Sequence, residues 1–275
     1  MEQRILYFEG LDRPAFDERE FKPAPDGRTL TIDYTTVSPG TELFCIRGGQ
    51  RCYPGYIMVG HDPAGQPYFV FPAMAESHSA HCNVRSFGPD SLLLPLPERF
   101  PLELAGFLRF ANIGLGPLLR YGALPGEVAV IGLGPVGNLA TQSAKLLGCR
   151  VVGVDPSAAR RDLAAKCGIA ETVTPEEFSG MDKAFDRVID TVSASSTLAA
   201  SAHALRDGGM CNMVGIVKDG DLPASTLCRE IWDRDLRFVS GWEIKHPVSA
   251  VADHLARAVR WIGAGAYVLR PLLTG

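Results

Sequence analysis

The chain has 275 residues and a formal net charge of −4, with 46% hydrophobic and 21% charged residues. This length and composition allow a sizeable core, which we expect to be divided between two lobes. The sequence has no basic block of the kind that nucleic acid or an anionic membrane requires, so its electrostatics favour a small molecule as the partner.

The chain up to about residue 110 has the pattern of a turn-rich β domain. Short β-type runs such as TLTIDYTTV (29–37) and QPYFVF (66–71) are separated by proline and glycine. We therefore expect a compact β lobe in this part of the chain.

Beyond that point, short apolar strands alternate with helical patterns. The strand candidates are 128–131, 150–154, 171–173, 187–191, 210–214 and 236–240. A βα alternation of this kind predicts an α/β fold with a doubly wound, six-stranded parallel sheet of the Rossmann type.

The stretch VAVIGLGPVGNLA (128–140) carries glycines at the spacing G-x-G-x-x-G, and an apolar face at helical spacing follows them. This context predicts a strand, a tight turn and a helix. Gly132 would make the turn, Gly134 would let the backbone approach a pyrophosphate, and Gly137 would let helix and strand pack closely. The helix N-terminus would offer free N–H groups to the phosphates.

Asp155 strengthens this interpretation, because it ends the second predicted strand 23 residues after Gly132. A carboxylate at that place accepts hydrogen bonds from ribose hydroxyls and repels the 2′-phosphate of NADP. NAD is therefore the favoured cofactor, while Arg160 and Arg161 leave NADP open. A methyltransferase is disfavoured, because VAVIGLG has no acidic residue before its glycines. The other candidate contacts to the dinucleotide are Pro135, Val136, Thr191, Val192, Val214 and Gly215.

The stretch from VAVIGLGPVG to AAKCG (128–168) resembles the cofactor domain of the medium-chain dehydrogenase/reductase superfamily, which contains zinc alcohol dehydrogenases and zinc-free quinone and enoyl reductases. VSPGTEL (37–43) and YPGYIMVG (53–60) are similar to stretches of that family's GroES-like catalytic domain, especially in a branch that includes bacteriochlorophyllide dehydrogenases. The resemblance covers most of residues 25–245. It implies hydride transfer at a nicotinamide in the cleft between the lobes.

The first lobe departs from the zinc enzymes of this superfamily. A cysteine ligand there stands two residues before a proton-relaying Ser or Thr, whereas SPGTE has Pro39 at the ligand position and keeps Thr41. The second ligand would fall on Tyr56 or, in a different alignment, on His61, and the RFANIG stretch offers no third ligand. Catalytic zinc takes three protein ligands, so we expect an enzyme without zinc.

Without a metal, the charge that develops on a reduced carbonyl or enolate must be met by hydrogen-bond donors or by protonation. Thr41 and Tyr56 lead the candidates for this role, although a turn threonine and a packed core tyrosine are their ordinary interpretations. The other candidates are Glu42, His61, His78 and His81. The two histidines of ESHSAHC (76–82) are not expected to bind a metal together, because the chain there is expected to be extended.

The C-terminal part contains a predicted helix, SAVADHLARAVRWI (249–262). AYVLRPLLTG (266–275) resembles the strand by which the family's chain returns to its first lobe. The resemblance therefore assigns 1–112 and 246–275 to a GroES-like catalytic domain and 113–245 to the dinucleotide-binding domain. Relatives continue beyond this strand, so we expect an abbreviated first lobe. The strand near Phe238 resembles the edge through which related enzymes form homodimers.

Targeting and cysteine patterns favour a cytoplasmic protein. No apolar stretch reaches the roughly 18 residues of a membrane span, and MEQRILYFEG lacks the layout of a signal peptide. The seven cysteines include no C-x-x-C motif, which suits neither a disulfide framework nor a structural zinc site, and we expect mostly buried or unreactive thiols.

Two functions remain open at this point. The first is a zinc-independent, NAD(P)-dependent oxidoreductase acting on a carbonyl, an alcohol or a conjugated alkene. The second is a dinucleotide-binding sensor or scaffold that has lost catalysis. Both predict cofactor binding, and turnover distinguishes them.

Overall fold

The computed structural model describes residues 1–11, 13–48, 50–72, 78–122, 124, 126–215, 224–242 and 247–273. The chain divides into two units, Met1–Arg109 and Phe110–Gly275. The helix α2 (Phe107–Leu119) spans this division.

The first unit is built on antiparallel strands. Its elements are β1 (Glu2–Phe8), β2 (Pro14–Glu20), β3 (Arg28–Thr35), α1 (Pro39–Arg47), β4 (Met58–His61), β5 (Pro67–Phe71), β6 (Val84–Phe87), β7 (Leu92–Pro95) and a 3-10 turn at Leu102–Leu104. Strands β1 and β2 pair with each other, and the other five form a sheet in the order β6-β3-β4-β5-β7. Leu30, Met58 and Val70 belong to the core of this sheet. The expected β-rich lobe is confirmed.

The second unit contains a six-stranded parallel sheet in the order β10-β9-β8-β11-β12-β13. Its strands are β8 (Glu127–Ile131), β9 (Arg150–Val154), β10 (Thr172–Val173), β11 (Phe185–Asp190), β12 (Leu205–Met213) and β13 (Arg237–Ser240). Its further helices are α3 (Pro135–Leu146), α4 (Ala158–Lys166), α5 (Pro175–Ser179), α6 (Ser195–Ala204), α7 (Ala224–Arg234) and α8 (Val248–Gly263). Numbered within the unit, the order is that of a doubly wound dinucleotide-binding sheet, which confirms the predicted fold class.

The central strands of this sheet were predicted well because they are buried on both faces. Val128, Val130 and Ile189 are buried on one face, while Ala129 and Val188 are buried on the other. Strands covered on both faces appear as continuous apolar runs. Strand β12 begins five residues earlier than predicted, because its first residues include Arg206–Gly209, which are polar or glycine and coincide with a register shift against β11.

The C-terminal segment differs from the expectation. The helix predicted at 249–262 is present as α8, but the strand predicted at 266–275 is absent from its described part, where a 3-10 turn forms at Arg270–Leu272. The Gln142 side chain supplies the bonds that a strand partner would have made. Its Oε1 accepts the Val268 N–H at 2.8 Å, and its Nε2 donates to the Val268 carbonyl at 3.2 Å. The segment belongs to the second unit, whereas the resemblance assigned it to the first domain.

Two general properties follow from the described residues. No helix among them is long and apolar enough to cross a membrane. All seven cysteines are free, with Cys149, Cys167 and Cys211 buried and Cys45 and Cys228 exposed. Burial raises the pKa of the Cys211 thiol, which therefore stays protonated and unreactive.

Candidate functional site

The glycine loop between β8 and α3 gives each of its three glycines a different role. Gly132 has φ +87° and donates its N–H to the Val154 carbonyl at 2.8 Å. A Cβ on Gly137 would lie 1.7 Å from the Gly132 carbonyl oxygen, so only glycine permits this packing. A Cβ on Gly134 would meet nothing within 4 Å. Space beside Gly134 is therefore open to a ligand.

The start of α3 faces that space with backbone donors. Gly134 is the N-cap without a side-chain cap, and Pro135 occupies the first turn and has no N–H to satisfy. The amides of Val136 and Gly137 have no partner within the helix, because the first N–H groups of any helix lack one. These amides and the helix dipole make the loop suitable for an anionic group such as a phosphate.

Asp155 lies beside this loop, immediately after β9. Its Oδ2 accepts the Leu133 N–H at 2.8 Å, and its Oδ1 accepts the Ser157 N–H at 2.9 Å. Its side chain is 1% exposed and lies 3.5 Å from Nη1 of Arg160. Oδ2 thus accepts from both Leu133 and Arg160, whereas Oδ1, among the described residues, accepts only from Ser157 and can take a second hydrogen bond from a ribose hydroxyl. The sequence predicted the place of Asp155 but not its role in bracing the loop.

The two arginines that follow Asp155 behave differently. The Arg160 side chain is 59% exposed. Arg161 uses Nη1 to donate to the carbonyls of Asp155 and Pro156, at 2.7 and 3.1 Å. Arg161 therefore has a structural function here, and Arg160 is the more available cation.

The remaining predicted contacts lie at the carboxyl edge of the same sheet. Thr191 Oγ1 donates to the carbonyls of Ile131 and Gly132, at 2.8 and 3.2 Å, which ties the end of β11 to the glycine loop. Val192 follows Thr191, and Val214 and Gly215 follow β12, which pairs with β11. The structure thus brings all of the predicted dinucleotide contacts to one edge.

A second cluster lies within the first unit and connects five side chains. The Tyr56 hydroxyl donates to Ser38 Oγ at 2.9 Å, and the Ser38 N–H donates to Glu42 Oε1 at 2.7 Å. Glu42 Oε2 lies 2.9 Å from His81 Nε2, and His81 Nδ1 lies 2.8 Å from Thr35 Oγ1. The side chains of His81 and Glu42 are only 10% and 6% exposed. We call this set the hydroxyl–carboxylate network.

Local structure explains how the network forms. Ser38 is the N-cap of α1, yet its hydroxyl makes no capping bond, although that is the usual use of an N-cap serine. The Ser38 hydroxyl instead accepts the bond from Tyr56. Gly55 has φ +92°, and a Cβ there would lie 2.8 Å from the His81 ring, so glycine is needed for this approach. Arg109 lies over the Tyr56 ring at 5.1 Å from its centroid.

Sequence reasoning identified only part of this network. It ranked Tyr56 first together with Thr41, placed Glu42 and His81 among the other candidates, and did not identify Ser38 or Thr35. Thr41 is exposed on α1, and its N–H donates to the Ser38 carbonyl at 3.1 Å.

The other predicted histidines lie elsewhere in the first unit. His61 Nδ1 is 2.9 and 3.0 Å from the two oxygens of Asp33, and this pair lies between β3 and β4. The pair lines an open cavity of about 560 Å³. His78 is largely exposed, and the partial loss of water around its imidazole, together with the charge of Arg85, lowers its pKa.

The donor set around Tyr56 does not suit a catalytic zinc. Pro39 lies in the first turn of α1 and has no ligand atom in its side chain. Glu42 and His81 are bonded to each other, and their other partners are the Ser38 N–H and the Thr35 hydroxyl. Across the described segments, no three His, Cys, Asp or Glu side chains converge as a metal site would require.

Comparison with known proteins gives a family and a fold. Residues 135–255 match the family described as zinc-binding dehydrogenase. The chain is 33% identical over 130 residues to NADP-dependent alcohol dehydrogenase C 1 of Mycolicibacterium smegmatis, covering 45% of this chain and 37% of that protein. It is 30% identical over 212 residues to cinnamyl alcohol dehydrogenase 8 of Arabidopsis thaliana, covering 74% of this chain and 57% of that protein. The chain thus spans between about a third and three fifths of the length of these relatives.

The solved structure of galactitol-1-phosphate dehydrogenase from Escherichia coli has the same fold. The two align with a TM-score of 0.83 at 17% identity, covering 98% of this chain and 92% of that one. At this identity the likeness concerns the fold alone.

Proposed function

This chain belongs to the medium-chain dehydrogenase/reductase superfamily, and from that premise we propose that it is an NAD(P)-dependent oxidoreductase. It would transfer a hydride between the nicotinamide and a carbonyl or alcohol carbon, or a conjugated alkene, of a small organic substrate. The glycine loop carries this proposal. Gly132 and Gly137 satisfy its internal packing, while Gly134 leaves ligand space beside the α3 amides.

The residues of the second unit fit a dinucleotide. The amides of Val136 and Gly137 would bind the pyrophosphate, and the Asp155 carboxylate would accept bonds from the adenosine ribose. When bound, the nicotinamide supplies or accepts the hydride. We retain NAD as the expected cofactor, because a carboxylate at this place repels a 2′-phosphate.

In the first unit, Tyr56 is our candidate for the residue that transfers the proton. Its hydroxyl would give the proton that it shares with Ser38 to the oxygen of a carbonyl substrate and become a phenolate, and in the reverse direction that phenolate would take the proton of an alcohol. The bond to Ser38 Oγ and the stacked Arg109 hold the phenol in one orientation. Glu42 accepts the Ser38 N–H and is bonded in turn to His81, so we assign these two residues a positioning role rather than proton transfer.

We also propose that the reaction proceeds without zinc, although the family is described as zinc-binding. The support is chemical, since the Tyr56 hydroxyl bonds to the Ser38 hydroxyl, while Glu42 and His81 are bonded to each other. Metal analysis of the purified protein tests this directly. Zinc at one equivalent, retained through dialysis, would overturn it.

We propose in addition that two copies associate through β13, which carries Phe238 and lies at an edge of the sheet. The unpaired backbone groups of an edge strand can pair with a second copy. Light scattering on the purified protein should give twice the mass of the chain, and a monomer at micromolar concentration would contradict this.

The proposed function is tested first by binding and then by turnover. Titration with NADH and NADPH should quench protein fluorescence, and oxidation of either should be measured against aldehydes, ketones and enones, including cinnamaldehyde. Tyr56→Phe should abolish most turnover while leaving dinucleotide affinity unchanged. Thr41→Ala tests the other candidate hydroxyl. Because Thr41 is exposed, we expect this variant to lose less turnover than Tyr56→Phe.

Each outcome has a clear meaning. Absence of binding to both dinucleotides would overturn the proposal. Tight binding without turnover across the panel would favour the sensor or scaffold function instead.

A further inference from the structure

Asp190, the last residue of β11, is fully buried and organises the loop that follows it. Its Oδ1 accepts the N–H groups of Val192 and Ser193, at 2.9 and 2.8 Å. Its Oδ2 accepts the hydroxyl of Thr197 at 2.6 Å. Burial raises the pKa of this carboxyl, and the three donors oppose that effect.

The backbone of Asp190 holds a second loop. Its carbonyl accepts the N–H groups of Val214 and Gly215, at 2.8 and 3.3 Å. A Cβ on Gly215 would lie 2.8 Å from the Val192 carbonyl oxygen and 2.9 Å from that of Thr191. The loops after β11 and β12 are therefore interlocked, with Asp190 at their junction.

The loop after β11 is also held in an uncommon conformation. Ser193 has φ +55° and is buried, a backbone region that residues other than glycine rarely adopt. Its N–H is one of the donors to Asp190. Strained backbone of this kind persists where the surrounding structure determines it, and it concentrates at functional sites.

Sheet topology indicates which part of a dinucleotide these loops would meet. In the order β10-β9-β8-β11-β12-β13, the chain reverses direction of winding between β8 and β11. A dinucleotide binds across such a switch point, with one mononucleotide on each half of the sheet. Asp155 follows β9 and serves the adenosine half. The loops held by Asp190 follow β11 and β12, on the other half.

We propose that Asp190 is a positioning residue for the nicotinamide half of the cofactor. Its carboxylate fixes the backbone of Val192 and Ser193. Its carbonyl fixes that of Val214 and Gly215, and no contact with the adenosine half is involved. The inference rests on the proposed function, because it requires that a dinucleotide bind.

The test compares NADH with ADP-ribose, which lacks the nicotinamide. Calorimetry measures the dissociation constants of both ligands for the unmodified full chain and for its Asp190→Ala variant. Loss of the brace should weaken NADH at least tenfold and ADP-ribose less than twofold. A role limited to stability would weaken both ligands equally or neither.

Asp186 provides a matched control at the opposite end of the same strand. Its Oδ2 accepts the N–H groups of Gly126 and Glu127, at 3.0 and 2.8 Å, and its Oδ1 accepts a bond from Arg206. Asp186→Ala therefore removes a comparable brace at the other edge of the sheet. It should lower the thermal midpoint while leaving both dissociation constants within twofold.

A second variant keeps the proposal testable if Asp190→Ala does not fold. Gly215→Ala pushes on the Thr191–Val192 backbone without altering Asp190, and it should produce the same selective loss of NADH affinity. Equal weakening of NADH and ADP-ribose by the folded variant, or an equal effect of Asp186→Ala, would overturn the inference. If the unmodified chain bound neither ligand, the proposed function itself would fail and this inference with it.

Discussion

The two units build their candidate sites from different material. The second unit uses backbone, since the loop 132–137 presents amides and a gap beside Gly134, and Asp155 braces it through Leu133. The first unit uses side chains, since Tyr56 and His81 reach Ser38 and Glu42 at the start of α1 only because the chain folds them together. A site made of backbone tolerates most side-chain substitutions but few substitutions of its glycines. A site made of side chains is sensitive instead to substitution of those side chains.

The two sites also separate their proposed tasks. The backbone site would bind an anionic cofactor, and the hydroxyl–carboxylate network would handle a proton. Substitutions can therefore show whether binding and turnover are separable, as this division requires.

The largest expected effect is on turnover by Tyr56→Phe. Loss of a general acid lowers kcat by about 10²–10⁴-fold, and the NADH dissociation constant should not change, because the glycine loop is untouched. Steady-state rates and fluorescence titration on the same preparation measure both. A parallel loss of NADH binding would contradict the division between the two sites.

Gly137→Ala and Gly134→Ala probe the backbone site as a pair. The Cβ on Gly137 would overlap the Gly132 carbonyl, so both stability and NADH binding should fall, the former by about 1–3 kcal/mol. The Cβ on Gly134 meets no protein atom, so the thermal midpoint should hold while the NADH affinity falls about tenfold, a difference of about 1.4 kcal/mol. If Gly134→Ala bound NADH normally, the pyrophosphate would not lie there.

Glu42→Ala tests the side-chain network against a matched pair in the same unit. Removing Glu42 leaves His81 and the Ser38 N–H without their buried acceptor, which should cost about 3 kcal/mol in the free energy of unfolding. Asp33→Ala breaks the more exposed His61 pair and should cost about 1 kcal/mol or less. Urea unfolding measures both, and equal losses would mean that burial does not distinguish the two pairs.

Asp155→Ser should relax the preference for NAD over NADP by about tenfold, which corresponds to about 1.4 kcal/mol. The serine lacks the charge that repels a 2′-phosphate, and Arg160 lies nearby to attract it. Dissociation constants for NADH and NADPH give the ratio directly. An unchanged ratio would mean that the carboxylate only braces Leu133.

The smallest expected effect concerns pH. Burial lowers the pKa of His254 below its ordinary value of 6.5, an effect that Arg257 reinforces and Asp253 opposes. The unfolded chain therefore binds this proton more readily, and the free energy of unfolding should decrease as pH falls below 6.5 towards the folded pKa. His254→Gln should flatten this part of the profile by about 1 kcal/mol or less, as urea unfolding between about pH 5 and pH 8 can show. A slope identical to that of the unmodified chain would exclude His254 as its source.

Much of the second unit was predictable because its signals are local. The strands β8, β9 and β11 are continuous apolar runs, and the glycine spacing dictates a turn whatever lies further along the chain. The predicted return strand at 266–275 was wrong because the conformation of this segment depends on a distant residue. Gln142, more than a hundred residues away, takes the backbone bonds of Val268, and no local pattern announces such a partner.

The amino-acid sequence alone determined the fold class, the glycine loop, the place of Asp155 and the family resemblance, because backbone conformation and strand burial depend on near neighbours. Tertiary structure decided that Tyr56 and His81 join Ser38 and Glu42, that the Thr41 side chain is exposed while His61 pairs with Asp33, and that Asp190 joins two loops. The His81–Thr35 bond connects residues 46 positions apart. Contacts of that kind arise from packing, so they become visible only when the folded chain brings the partners together.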